Sequence, residues 1–123
     1  MGFRRQLAQS RPSGTSAVSL FTQNYDDPVE IGTLHICNVT GSSVNVSVFH
    51  DIDGSTFDQT TALIYQYPLA ANGWLDIDDL VGEWDNSGNI GIQVSIADAA
   101  NFTLYGTAVS ETLPTLQAGG GVA

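Results

Sequence analysis

The residues best placed to do chemistry are three aspartates in one short run, Asp51-Ile52-Asp53-Gly54-Ser55-Thr56-Phe57-Asp58. Carboxylates at alternate positions beside a glycine can wrap a hard cation such as Ca2+ with oxygen ligands. Asp51, Asp53 and Asp58 are therefore the candidate metal ligands. The order is not that of an EF-hand, because the glycine directly follows the second aspartate and no glutamate closes the loop. The same run also reads as a hairpin loop, with Asp53-Gly54 supplying a left-handed turn. Nothing else in the sequence asks for a cofactor.

A second acidic cluster, Asp76, Asp78, Asp79, Glu83 and Asp85, begins on a strand-like stretch. There Asp76 and Asp78 share one side, opposite Leu75 and Ile77, as on a solvated strand face. Carboxylate pairs cleave glycosides only at defined separations in a cleft, and neither cluster encodes one. No serine sits in a nucleophile elbow. His35 and His50 lack a spacing that would pair them on one metal, and a lone Cys37 excludes an internal disulfide or a cysteine zinc site. Cys37 lies in the apolar run Leu34-His35-Ile36-Cys37-Asn38, where it reads as a small buried hydrophobe. Three Asn-x-Ser/Thr matches, at Asn38, Asn45 and Asn101, are what polar strands generate by chance. Tyr65, Tyr67, Trp74 and Trp84 could form a sugar-stacking platform, or serve as core and interface anchors. The chain reads as a binding or assembly protein, not an enzyme.

Charge sharpens this. The chain carries 3 basic and 13 acidic residues, a net charge of -10. All the cations, Arg4, Arg5 and Arg11, precede Pro12, and no lysine occurs. Nucleic acid binding rests on Lys and Arg neutralising phosphates, so an acidic body excludes it. The basic segment is the one part that could dock on an acidic surface, and Arg4, Arg5 and Arg11 are the candidate partner-binding residues. With only Phe3 and Leu7 as anchors, residues 1–14 read as an extended arm, and deleting residues 1–11 should leave the folded body's stability nearly unchanged. Met1-Gly2-Phe3-Arg4-Arg5 is followed by no apolar signal region, and no run approaches the roughly 20 apolar residues of a membrane span. The chain is expected to stay in the cytoplasm where it is made, or to leave as part of an assembly.

The elements that must position these residues have period two. Val44, Val46 and Val48 alternate with Asn45 and Ser47, and Ile90, Ile92, Val94 and Ile96 with Gly91, Gln93 and Ser95. Such alternation marks strands with one face in a core and one toward water. Seven strands are predicted, at about 15–22, 29–38, 44–50, 61–67, 73–78, 90–97 and 101–109. Gly, Asn, Asp and Pro turn signals separate them. Only Leu75–Trp84 approaches a helical pattern, and Gly82 interrupts it. The fold class is all-β: an antiparallel β-sandwich or jelly roll of about seven to eight strands. It comprises the arm (1–14), the sandwich domain (15–112) and a flexible Gly-rich tail (113–123).

The run Leu34-His35-Ile36-Cys37-Asn38-Val39-Thr40-Gly41, the hairpin Val48-Phe49-His50-Asp51-Ile52-Asp53-Gly54 through Ala62-Leu63, and the closing Phe102-Thr103-Leu104-Tyr105-Gly106 resemble the small β-sandwich virion proteins of tailed bacteriophages. The resemblance spans residues 15 to 109. It implies a non-enzymatic virion structural protein, foremost a head decoration or cement protein, and alternatively a tail or fibre component touching the host. A free carbohydrate- or Ca2+-binding module is the reading from another class. The implied partners are the major capsid protein or other virion proteins and further copies of the chain, with a trimer favoured. Neither nucleic acid nor membrane is implied. Contacts are expected from strand faces and from edges, which offer unpaired backbone groups.

Overall fold

Strict alternation needs a different environment on each side of a strand, and the computed structural model provides it. The structure describes residues 3–22, 29–51, 55–78, 82–84 and 88–108. Within them the chain forms β1 (Phe3–Ser10), β2 (Val18–Thr22), β3 (Val29–Asn38), β4 (Val44–Asp51), a 3-10 turn (Gln59–Thr61), β5 (Ala62–Leu69), β6 (Trp74–Ile77), β7 (Gly82–Trp84), β8 (Asn89–Val94) and β9 (Ala100–Ala108). All pairings are antiparallel. The first sheet runs β1-β9-β3-β6, with β7 also on β3, and the second runs β2-β8-β4-β5.

Strands β6 and β7 occupy successive stretches of the same edge of β3, Leu34–Cys37 and Val29–Ile31. They act as one broken strand, which leaves eight strand positions. Their order is that of a jelly roll, with first and last strands paired and each sheet drawing alternately from both halves of the chain. Ile31, Leu34, Ile36, Phe102 and Leu104 from the first sheet meet Val44, Val46, Val48, Ile90, Ile92 and Val94 from the second in one buried cluster. Each such side chain contributes about 1.5–3 kcal/mol relative to exposure. Among the described residues this burial and the backbone ladders hold the body together.

Two findings change the expected outline. The arm is not outside the sandwich: Phe3–Ser10 pairs with β9 from Phe3↔Ala108 to Ser10↔Phe102. Leu7 and Ala8 pack partly against the core, which explains why so few apolar residues suffice to seat this strand. The expected tail, 113–123, lies outside the described residues. Second, the sheet edges are blunted. Strands β1 and β2 each carry one extra residue where their register shifts, β5 carries two, and the fourth edge is the short β6 and β7. Bulges and short strands twist an edge away from a neighbour's backbone, which disfavours pairing with another sheet edge.

Candidate functional site

Asp51 ends β4, and Asp58 starts the 3-10 turn. Asp51 is buried, and its Oδ2 accepts a 2.7 Å bond from the Thr56 backbone N–H. Asp58 Oδ1 accepts from the Thr60 N–H at 2.8 Å and the Thr60 hydroxyl at 2.5 Å. Its own N–H donates to Thr61 Oγ1 at 3.3 Å, completing a capping box. The Thr60 hydroxyl first, then the Thr60 N–H, hold the Asp58 carboxyl below its ordinary range. Thr61 Oγ1 in turn donates to the Thr56 carbonyl at 2.8 Å. Two of the three candidate ligands therefore spend carboxylate oxygens on their own loop, and Asp53 lies outside the described residues. Among the described residues, no three His, Cys, Asp or Glu side chains are gathered as a metal site.

What these bonds hold is Phe57. Its ring stacks on Phe49, with centroids 6.1 Å apart, on the outer side of the second sheet. Beneath it is Gly91, where a Cβ would lie 2.4 Å from the Phe57 ring. The glycine is required by this close approach. Phe49, facing away from the main core, is fully buried beneath this lid and meets Tyr65 in a T-shaped contact with centroids 6.4 Å apart. Sequence reading took the loop as a site or a turn and missed the lid. Its one signal was an aromatic set between two aspartates.

The outer face of the first sheet carries the charged groups. His35 on β3 stands opposite Asp76 on β6, with Nδ1 2.5 Å from Oδ1. The His35 ring stacks on Trp74, which is 64% exposed. Thr33 Oγ1 donates to Asp78 at 2.9 Å. On the other side of this face, Gln9 of β1 donates to Thr103 of β9 at 3.1 Å. Arg5 and Arg11 are exposed along the β1 edge; Arg4 lies in β1 opposite Thr107, and Arg5 pairs with Gly106, on the side of Ile31 rather than of His35. The first sheet thus bears its cations at one edge and two carboxylates at the other.

Other expectations resolve individually. Cys37 is half-buried rather than buried, because its position faces outward opposite Trp74 and Asn101. Tyr65 and Tyr67 are about half exposed on β5, whereas Trp74 lies on the other sheet over His35, so they do not form one platform. The Trp84 side chain is outside the described residues. Asn38 is 1% exposed, and its Nδ2 donates to the carbonyls of Ser42, Leu69 and Ala70, tying two turns together. Its Oδ1 accepts from the Thr40 N–H at 2.9 Å and the Thr40 hydroxyl at 2.8 Å, which gives the Asn-x-Thr pattern a structural role. Burial pushes the His50 imidazole below its ordinary value, partly opposed by the adjacent Asp51 carboxylate.

The chain matches no family model and no curated protein sequence. Among solved structures it is similar to a chain of the T13 particle of infectious bursal disease virus, with TM-score 0.48 and 16% identity over 88% of this chain and 31% of that one. It is also similar to VP2 in the subviral particle of that virus, with TM-score 0.45 and 19% identity over 88% and 32%. The Gx strain structure gives TM-score 0.43 and 15% identity over 88% and 31%. The chain spans about a third of the length of each. With so little path and sequence shared, function must be argued from this chain's own residues.

Proposed function

We propose that this chain is a non-enzymatic structural protein of a virus particle, a decoration or cement protein of a bacteriophage head. It docks through the charged first sheet. The resemblance of residues 15–109 to small virion sandwiches supports the class. The observation that carries the docking mode is the charge separation: Arg5 and Arg11 at the β1 edge, Asp76 and Asp78 at the β6 edge. A sheet with opposite charges at its two edges favours head-to-tail contact between copies. Such heterologous contacts close into rings, which suits a trimer at a symmetric lattice position. The same cationic edge can meet acidic groups of a capsid subunit. Exposed Arg–carboxylate pairs contribute about 0.2–1 kcal/mol each, so several must act together.

The test is a charge swap read by light scattering on the full chain and by occupancy on particles lacking it. Arg5→Glu with Arg11→Glu should weaken self-association and occupancy, as should Asp76→Arg with Asp78→Arg. One chain carrying all four changes should recover self-association, because its two edges are complementary again. Wild-type association should loosen with salt. Association insensitive to salt and to every swap would remove the charged sheet from the interface. A copy number of tens rather than hundreds per particle would move the protein from the head to the tail or fibre.

A further inference from the structure

We propose that the outer face of the second sheet carries a binding site for a single neutral sugar unit. A hollow of about 170 Å³ opens there, lined by Thr15, Asn45, Ser47, Gln66, Gln93 and Ser95. Ligand pockets for drug-sized molecules run to about 300–1,000 Å³, so this one suits one ring. Its polar side chains are all carboxamides or hydroxyls, in a protein with 13 carboxylates and a net charge of -10. Groups of this kind both donate and accept, as a ring of sugar hydroxyls requires. The negative field of the body disfavours an anionic sugar.

The hollow is built rather than incidental. Gln66 sits at the β5 bulge with φ 52°, a left-handed conformation that a side chain adopts at a cost. The Ser47 hydroxyl holds it there, accepting the Gln66 N–H at 2.8 Å. Ser47 is only 2% exposed, and among the described residues nothing accepts its hydroxyl proton. Gln93 Nε2 is fixed by the Thr15 carbonyl at 3.0 Å, leaving its Oε1 available. The Ser95 hydroxyl accepts from the Asn45 N–H at 2.9 Å. Among the described residues the side-chain amides of Asn45 and Gln66 have no partner. A bulge that re-aims a side chain is a recurring device beside functional sites. One position along the same face of β4, the Phe49 ring meets Tyr65 in a T-shaped contact, and Tyr65 is 43% exposed. Tyr65 precedes the hollow's Gln66 in β5 and is an exposed aromatic near enough in sequence to meet the apolar face of a bound sugar.

This site is independent of whether the chain decorates a capsid. The test is an amide NMR titration of the full chain with glucose, galactose and N-acetylglucosamine, with N-acetylneuraminic acid as the anionic probe. At least one neutral sugar should shift the amides of Ser47, Tyr65, Gln66, Gln93 and Ser95, with an affinity of roughly millimolar order. Gln66→Gly removes the carboxamide while suiting the positive φ, so it should fold normally and bind about five- to tenfold more weakly. Asn45→Ala, at an exposed position, should act likewise. The proposal is overturned if no neutral sugar produces shifts there, if the shifts scatter over the surface, or if both variants bind like the wild type. Equal binding of the anionic sugar would overturn it too.

Discussion

The lid over the second sheet can be tested at one carbon atom. A Cβ at residue 91 would lie 2.4, 2.5 and 2.6 Å from three atoms of the Phe57 ring. Ordinary contact begins at 3.4 Å, so Gly91→Ala requires the ring to retreat by about 1 Å. The ring cannot retreat freely, because Asp51 and the Asp58 cap fix the backbone on either side of it. Retreat also loosens its stack on Phe49. Overpacking of this kind costs about 1–3 kcal/mol. That corresponds to a fall in Tm of roughly 4–12 °C for a domain of this size. Phe57→Ala removes a half-buried ring and should cost about 2 kcal/mol, less than the 3–5 of a fully buried one. The decisive measurement is the double-mutant cycle by urea unfolding. With Phe57→Ala present, Gly91→Ala should be neutral or slightly stabilising, since alanine loses less backbone entropy in a strand than glycine. Additive losses, or a Gly91→Ala variant as stable as wild type, would refute the lid.

Deleting residues 1–11 should lower Tm by roughly 5 °C or more, because it strips β1 from β9 and uncovers core beside Leu7 and Ala8. An unchanged Tm would return the segment to the status of a loose arm. The contribution of His50 to stability should fall on mild acidification. The His50 imidazole is depressed by burial, so below its unfolded value of 6.5 the unfolded chain takes up the proton first. Its contribution is present above that pH and lost as pH falls toward the folded value. His50→Gln should flatten this part of a Tm-versus-pH curve. Asp58 acts in a lower window: its contribution is complete above 3.8 and disappears as pH drops through its depressed folded value. Asp58→Asn should remove that limb.

Seven strands were legible from the sequence because period-two alternation is a local consequence of facing a core on one side. Observed boundaries at Val44–Asp51, Asn89–Val94 and Ala100–Ala108 fall close to those expected for that reason. Strand β1 escaped because its bulge sets Leu7 and Ala8 side by side as apolar residues, which breaks the alternation. The three arginines were visible at once, but their role depends on which edge β1 occupies. That is fixed by its pairing with a strand at the other end of the chain. The candidate aspartates were found by type and spacing, yet the direction of a carboxylate is set by the nearest donors, here Thr56 and Thr60. Pairs such as His35 with Asp76, 41 positions apart, and Phe57 over Gly91 leave no local trace. Local pattern records which side of a strand is buried. Strand order and register decide which buried or exposed residues meet, and those are settled only when the two sheets close on a common core.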